Sequence, residues 1–217
     1  MKLYGALASP FVARAILFAK IKGVDLELAA ASPSSAEYRA FNPIGKIPAL
    51  EVDGKCIAES EVICEYIEDS HPTPSGFPAD AFGRAQSRMV SRVVDLYMSP
   101  AVSKFARQVN PEKRDAAVVT AALADLEKVW TYLESFMGEG PFAVGDVPTL
   151  GDCTLAPYMK MTQILVFSNF AEAADPTETN PRLKTWWDAV NADPNFGPTL
   201  EEYGTAFEQM MRFFQKM

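Results

Sequence analysis

Histidine is almost absent from this 217-residue chain. His71 is the single one, and cysteine occurs three times, at Cys56, Cys64 and Cys153. One imidazole and three scattered thiols make no zinc-ligand constellation, and an odd, unclustered set of cysteines builds no disulfide framework. No metal is therefore expected, and reduced, isolated thiols fit a cytoplasmic location. Long apolar runs are missing too. None approaches the roughly 20 residues that a membrane-spanning helix needs, and Met1-Lys2-Leu3-Tyr4 does not open a signal peptide. Clustered positive charge is the third absence. The net charge is −8, which argues against nucleic acid and anionic membrane as partners, since both require grouped Lys and Arg. There is no internal repeat and no low-complexity tract.

What is present suffices for a folded core. Apolar residues make up 48% and charged residues 22%, ordinary values for a globular chain, and the length allows one large domain or two small ones. The proline-rich stretch His71-Pro72-Thr73-Pro74-Ser75-Gly76-Phe77-Pro78 marks a boundary, giving domains at 1–76 and 77–217.

The first domain reads as β-α-β followed by a hairpin. Residues 1–7 form a strand. Residues 10–22 form a helix with Val12, Ala15, Ile16 and Ala19 at helical spacing, stopped by Gly23. Residues 25–29 form a second strand, parallel to the first across the helical crossover. A loop at 30–36 leads to a short helix at 36–41 and a turn at Asn42-Pro43-Ile44-Gly45. Strands at 46–52 and 55–58 flank Asp53-Gly54, a two-residue hairpin signal. Ser60 then caps a helix carrying Val62, Ile63, Tyr66 and Ile67 on one face. Pro48 inside a strand removes a ladder hydrogen bond, which leaves either an edge position or a cis peptide at the strand entrance.

Beyond residue 80 the periodicity is helical throughout. A long helix at 81–106 is kinked at Pro100. The next begins at Asn110-Pro111 and carries the stripe Leu123, Leu126, Trp130, Leu133 and Met137, ending at Gly138 and Gly140. Thr149-Leu150-Gly151-Asp152 is a capping-box variant opening a largely apolar, central helix through about residue 166. Asn180-Pro181 begins a helix with Trp186, Trp187 and Val190, and a last helix spans about 198–215.

The stretch with the strongest chemical interest is Ser9-Pro10-Phe11. Ser9 stands at a helix N-cap with Pro10 at the first helical position. Such a serine is either a cap, worth about 1 kcal/mol, or a hydroxyl set to meet an anion at the positive end of the helix.

Three motifs occur in order within sixty residues: Ser9-Pro10-Phe11-x-x-Arg14, Asn42-Pro43-x-Gly45-Lys46-Ile47-Pro48-Ala49-Leu50, and Glu59-Ser60-x-x-Ile63-x-x-Tyr66-Ile67. Together they resemble the thioredoxin-like domain of the cytosolic glutathione transferases, in the classes with a serine-type active site (tau-, theta- or zeta-like). The helical half resembles the family's second domain less specifically. The resemblance implies an α/β thioredoxin-like domain followed by an all-α domain, and a homodimer. It implies that Ser9 donates a hydrogen bond to the sulfur of glutathione, and that Ile47 pairs with the cysteinyl backbone beside a cis-Pro48. Glu59 and Ser60 would hold the γ-glutamyl end. The loop Ser32-Pro33-Ser34-Ser35 departs from the family, lacking the usual cation for the glycyl carboxylate, a role that falls to Lys46 or Arg39.

The second substrate, a small hydrophobic electrophile, would meet Phe11, Tyr97, Phe105, Tyr158, Phe213 and Phe214, with Met98, Met159 and Met161 nearby. For each of these long-helix and C-terminal residues plain core packing is the more ordinary reading. The activity implied is detoxifying transfer of an alkyl or aryl group to glutathione. A peroxidase or isomerase on the same site is the alternative, or a non-catalytic binding module of the same fold. The chemistry needs a thiolate. A free thiol has a pKa of about 8.5, and a hydroxyl hydrogen bond together with a helix N-terminus lowers it. A two-unit shift corresponds to about 2.7 kcal/mol. Tyr4, the rival hydroxyl, lies inside the strand, five residues too early.

Overall fold

A computed structural model of the chain describes residues 1–215 and the side chains of residues 1–213. The chain forms two compact units, one of Met1–Gly76 together with the segment from Pro194 on, the other Phe77–Asp193. The last helix therefore goes with the first unit rather than with the helical half where its periodicity had placed it.

In the first unit, β1 (Lys2–Tyr4) leads to α1 (Pro10–Ile21) and β2 (Glu27–Ala29), then α2 (Ala36–Phe41), β3 (Ala49–Val52), β4 (Lys55–Ala58) and α3 (Ser60–Ser70). The sheet order is β2-β1-β3-β4, with β1 and β2 parallel and the other neighbours antiparallel. This is the thioredoxin-like arrangement. Leu3 and Leu50 face each other in register and are fully buried. Tyr4, on the opposite face, meets the rings of Tyr38 and Phe41 from α2 at 6.4 and 5.4 Å.

Two strands are shorter than their sequence suggests. β1 ends at Tyr4, where the chain bends at Gly5 after a last inter-strand bond from its N–H to Ala29 O at 2.9 Å. A Cβ at Gly5 would stand 2.5 Å from Val12 Cγ2, so glycine lets this turn close onto α1. β3 begins only at Ala49, because Lys46–Pro48 belongs to a turn whose Ile47–Pro48 peptide is cis. At the hairpin, Asp53 and Gly54 take φ of 50° and 74°, the pair of positive values that a type I′ turn requires.

The face of α3 differs from expectation. Ser60, Ile63, Cys64, Ile67 and Glu68 are buried, while Val62 is 53% exposed. Glu68 is held inside by Lys22, whose Nζ lies 2.6 Å from Oε2 and also donates to Pro74 O. α10 (Phe196–Gln215, numbered after the helices of the second unit) packs on α1, with Lys20 Nζ donating to Thr199 Oγ1 at 2.6 Å.

The second unit is helical: α4 (Ala81–Val93), α5 (Ser99–Phe105), α6 (Ala116–Phe136), α7 (Leu150–Thr162), α8 (Pro176–Thr179) and α9 (Pro181–Ala192). Between α4 and α5 a π-helical turn, Val94–Met98, absorbs the N–H missing at Pro100, so the expected kink takes this form. Asn110-Pro111 caps only a short 3-10 turn, and α6 starts five residues later at the Asp115 cap, whose Oδ1 accepts from Ala117 N–H at 2.9 Å. α7 is buried along most of its length and packs closely on α4. Its Asp152 accepts from Thr149 N–H, Thr149 Oγ1, Ala143 N–H and Trp186 Nε1 at 2.7–3.0 Å.

Candidate active site

Ser9 is the N-cap residue of α1, with extended backbone (φ −90°, ψ 126°) and Pro10 next in the helix. Its N–H closes the preceding turn on Ala6 O at 2.9 Å, and its carbonyl accepts from Val12 and Ala13 N–H. Its hydroxyl makes no capping bond. The side chain is half-buried, and Oγ is available at the positive end of a twelve-residue helix.

A cleft in the same unit is lined by Phe11, Ile44, Lys46, Ile47, Pro48, Glu59 and Ser60, with Asn42 and Ala58. It thus gathers one expected electrophile contact and all five expected glutathione contacts. Ser9 is not among its lining residues. Each wall has a local cause. The turn is pinned by buried Asn42, whose Nδ2 donates to Lys46 O at 2.9 Å while Oδ1 accepts from Ile44 N–H at 3.1 Å. Tyr38 Oη donates to the same Lys46 carbonyl at 2.7 Å. Ile47 lies ahead of the first ladder pair, Tyr4 with Ala49.

Glu59 joins β4 to α3 at φ 67°, a left-handed conformation that costs a non-glycine residue about 1–3 kcal/mol. It occupies the cap position, its side chain makes no capping bond, and it is exposed. Ser60 is the first helical residue rather than the cap, and is 5% exposed. Its Oγ accepts from Arg14 Nη1 at 3.1 Å. A hydroxyl accepts and donates at once, so Ser60 keeps its own proton to offer a ligand.

Arg14, which was assigned no role in its motif, lies behind the cleft and touches it through Ser60. It is 1% exposed, stands 3.8 Å from Glu61 Oε2, and lies 5.6 Å from the Phe11 ring centroid. The signal available in the sequence was a single charge inside the apolar run 11–18. Of the two candidate cations for a glycyl carboxylate, Lys46 lines the cleft, and Arg39 does not but reaches the turn before it, since a Cβ on Gly45 would lie 3.2 Å from Arg39 Cζ.

Tyr4 is occupied elsewhere. Its Oη donates to Glu51 Oε2 at 2.8 Å, and that bond, with burial and the nearby carboxylate, raises the phenol above its ordinary range. Of the other electrophile contacts, Phe105 is fully buried against Phe170 and Tyr158 is 2% exposed with Oη bonded to Ser99 Oγ at 2.9 Å. Both are core residues of the second unit and present no face to a ligand. Met98 and Met159 are fully buried as well. Tyr97 is 50% exposed beside Tyr132, and Phe213 is 63% exposed. The side chain of Phe214 lies outside those described. Among the described residues no group of His, Cys, Asp and Glu is placed to hold a metal ion, and no helix is long and apolar enough to cross a membrane.

Comparison with known proteins identifies the family. The family model for the glutathione S-transferase N-terminal domain matches residues 3–75, and that for the C-terminal domain matches residues 94–194. Glutathione S-transferase 3 of Zea mays is 30% identical, covering 92% of this chain and 93% of its own. Maleylacetoacetate isomerase of Rattus norvegicus is 31% identical, covering 71% of this chain and 74% of its own. Among solved structures, a glutathione S-transferase of Methylobacterium radiotolerans in complex with glutathione sulfonate has a TM-score of 0.75 at 25% identity, over 92% of this chain and 93% of that one. The chain belongs to the glutathione S-transferase family.

Proposed function

We propose that this chain transfers the glutathione thiolate to small apolar electrophiles, with Ser9 as the activating group. In this reading Ser9 Oγ donates to the sulfur, and the N-terminus of α1 favours the negative form. The thiol proton leaves to solvent, so no general base is needed. Glu59 takes the γ-glutamyl ammonium, and Ser60 with the first N–H groups of α3 takes the carboxylate. The Ile47 backbone pairs with the cysteinyl unit, and Lys46 with Arg39 meets the glycyl carboxylate. Phe11, Tyr97 and Phe213 contact the electrophile. We further read the first domain as the glutathione-binding one, the second as the substrate-binding one, and the protein as a cytoplasmic, detoxifying homodimer.

The observation that carries this reading is the Ser9 hydroxyl, set at a helix N-terminus yet making no capping bond. The test is the ultraviolet thiolate absorbance of bound glutathione titrated with pH, for wild type and Ser9→Ala. The bound thiol is expected to ionise about two units below its free value of about 8.5, and Ser9→Ala to move it back with at least a tenfold loss in kcat/KM. Binding with an unshifted thiol would sink the activation role and leave a glutathione-binding module. The likeness to maleylacetoacetate isomerase favours a second reading, in which the same thiolate adds to a conjugated double bond and is expelled again after rotation.

A further inference from the structure

Tyr38 and Phe41 stand three residues apart on α2 and so share a helix face. Both meet the ring of Tyr4 on the sheet, and their own centroids are 6.4 Å apart. Ser35 Oγ accepts from Tyr38 N–H at 3.1 Å, and Glu51 holds the Tyr4 hydroxyl. Tyr38 is thus held by its backbone and by its ring, and is only 7% exposed. Its hydroxyl reaches from this platform to the Lys46 carbonyl, to which it donates at 2.7 Å. Asn42 Nδ2 donates to the same oxygen at 2.9 Å. A carbonyl oxygen has two lone pairs, and both are taken here by donors from buried side chains.

That oxygen belongs to the peptide unit whose N–H is that of Ile47. The unit is trans, and a planar trans peptide points its C=O and N–H in opposite directions. Two donors gripping Lys46 O from the α2 side therefore turn Ile47 N–H away from α2. Ile47 lines the cleft, and neither its N–H nor its C=O is hydrogen-bonded among the described residues. A donor whose direction is preset costs a ligand little ordering. Donation to the carbonyl also polarises the N–H of the same peptide. We propose that Tyr38 is a positioning residue of the glutathione site, its hydroxyl fixing the peptide plane through which Ile47 N–H is offered to the cysteinyl carbonyl. The inference rests on the reading in which Ile47 pairs with the cysteinyl backbone. Burial raises the Tyr38 phenol above its ordinary range, so the donor keeps its proton throughout the range in which a thiol ionises.

The test is Tyr38→Phe in the full-length chain, which keeps the ring and removes the hydroxyl alone. KM for glutathione is expected to rise about fivefold, as loss of one hydrogen bond does, with kcat unchanged because ground and transition states lose the contact equally. The pH titration of the bound thiol should still show it lowered, since Ser9 is untouched. Incorporation of 4-aminophenylalanine at position 38 restores a donor and is expected to recover the wild-type KM. A hydroxyl that serves only the fold would instead lower the urea midpoint of Tyr38→Phe and leave KM as it was. That result, or a raised KM that the amino analogue does not recover, overturns the inference while leaving Ser9 and the cleft in place. A wild type that does not bind S-hexylglutathione in calorimetry overturns the reading of the cleft itself, and the inference falls with it.

Discussion

Arg14 shows how one side chain links the helix that Ser9 opens to the wall that holds Glu59 and Ser60. A guanidinium is costly to bury unless it is paired and hydrogen-bonded. Here Ser60 Oγ, the Glu61 carboxylate and the Phe11 ring surround it. Arg14→Ala leaves that pocket without its donor and is expected to raise the KM for glutathione about tenfold, as loss of a charged hydrogen bond does. Arg14→Lys, lacking the planar fork, recovers only part. Steady-state kinetics with glutathione as the varied substrate checks this, and the bound-thiol titration separates it from Ser9, since Arg14→Ala should leave the thiol pKa lowered. The site residues at 46–48 and 59–60 were legible because turn signals and a helix start place backbone groups locally. Arg14 was not, since only its environment distinguishes a buried guanidinium from a solvated one.

At the scale of the element, the hairpin and α2 could be read directly, for Asp53-Gly54 and residues 36–41 are governed by nearest neighbours. α3 could not be read as well. A hydrophobic stripe was expected to include Val62, but the buried face instead includes Glu68, which stays inside because Lys22 meets it across the fold. α7 shows the opposite case, where a local capping signal also serves the tertiary structure. Burial pushes the Asp152 carboxyl above the usual aspartate range against the pull of its four donors. Asp152→Ala strands the N–H groups of Ala143, Thr149 and Trp186 in the core. At about 1–3 kcal/mol for each unsatisfied group, it is expected to lower stability by at least about 3 kcal/mol. Chemical denaturation of the second unit, followed by tryptophan fluorescence at Trp130, Trp186 and Trp187, measures it. An unchanged midpoint would falsify the role assigned to this carboxylate.

For the whole molecule, the Lys22–Glu68 pair joins α1, α3 and the segment that closes the first unit. Burial alone would raise the Glu68 carboxyl, but the bonds from Lys22, Gly76 N–H and Ser75 Oγ prevail and hold it below the usual glutamate range. The folded state therefore binds this proton less readily than the unfolded chain. Its contribution is complete above the ordinary glutamate pKa and is lost as pH falls through the depressed value. Glu68→Gln leaves the Lys22 ammonium buried without its counter-charge and is expected to cost about 3–5 kcal/mol near neutrality. The gap between the two proteins should close below about pH 4. Urea midpoints across pH test this, and a gap independent of pH would assign the effect to packing.

Taken alone, the sequence determined the family, the order of the β and α elements in residues 1–70, and which of Lys46, Ile47, Pro48, Glu59 and Ser60 to look for in one place. These depend on short-range rules of turn, cap and period, or on motifs whose spacing carries their meaning. Tertiary structure alone decided that α10 belongs with α1, that Phe105 and Tyr158 are core, and that Arg14 and Glu68 are interior charges. It also decided that the Ser9 hydroxyl is not consumed as a cap. An amphipathic period says that a face is buried but not against which partner, and a polar side chain reveals its role only when the groups around it are fixed in space.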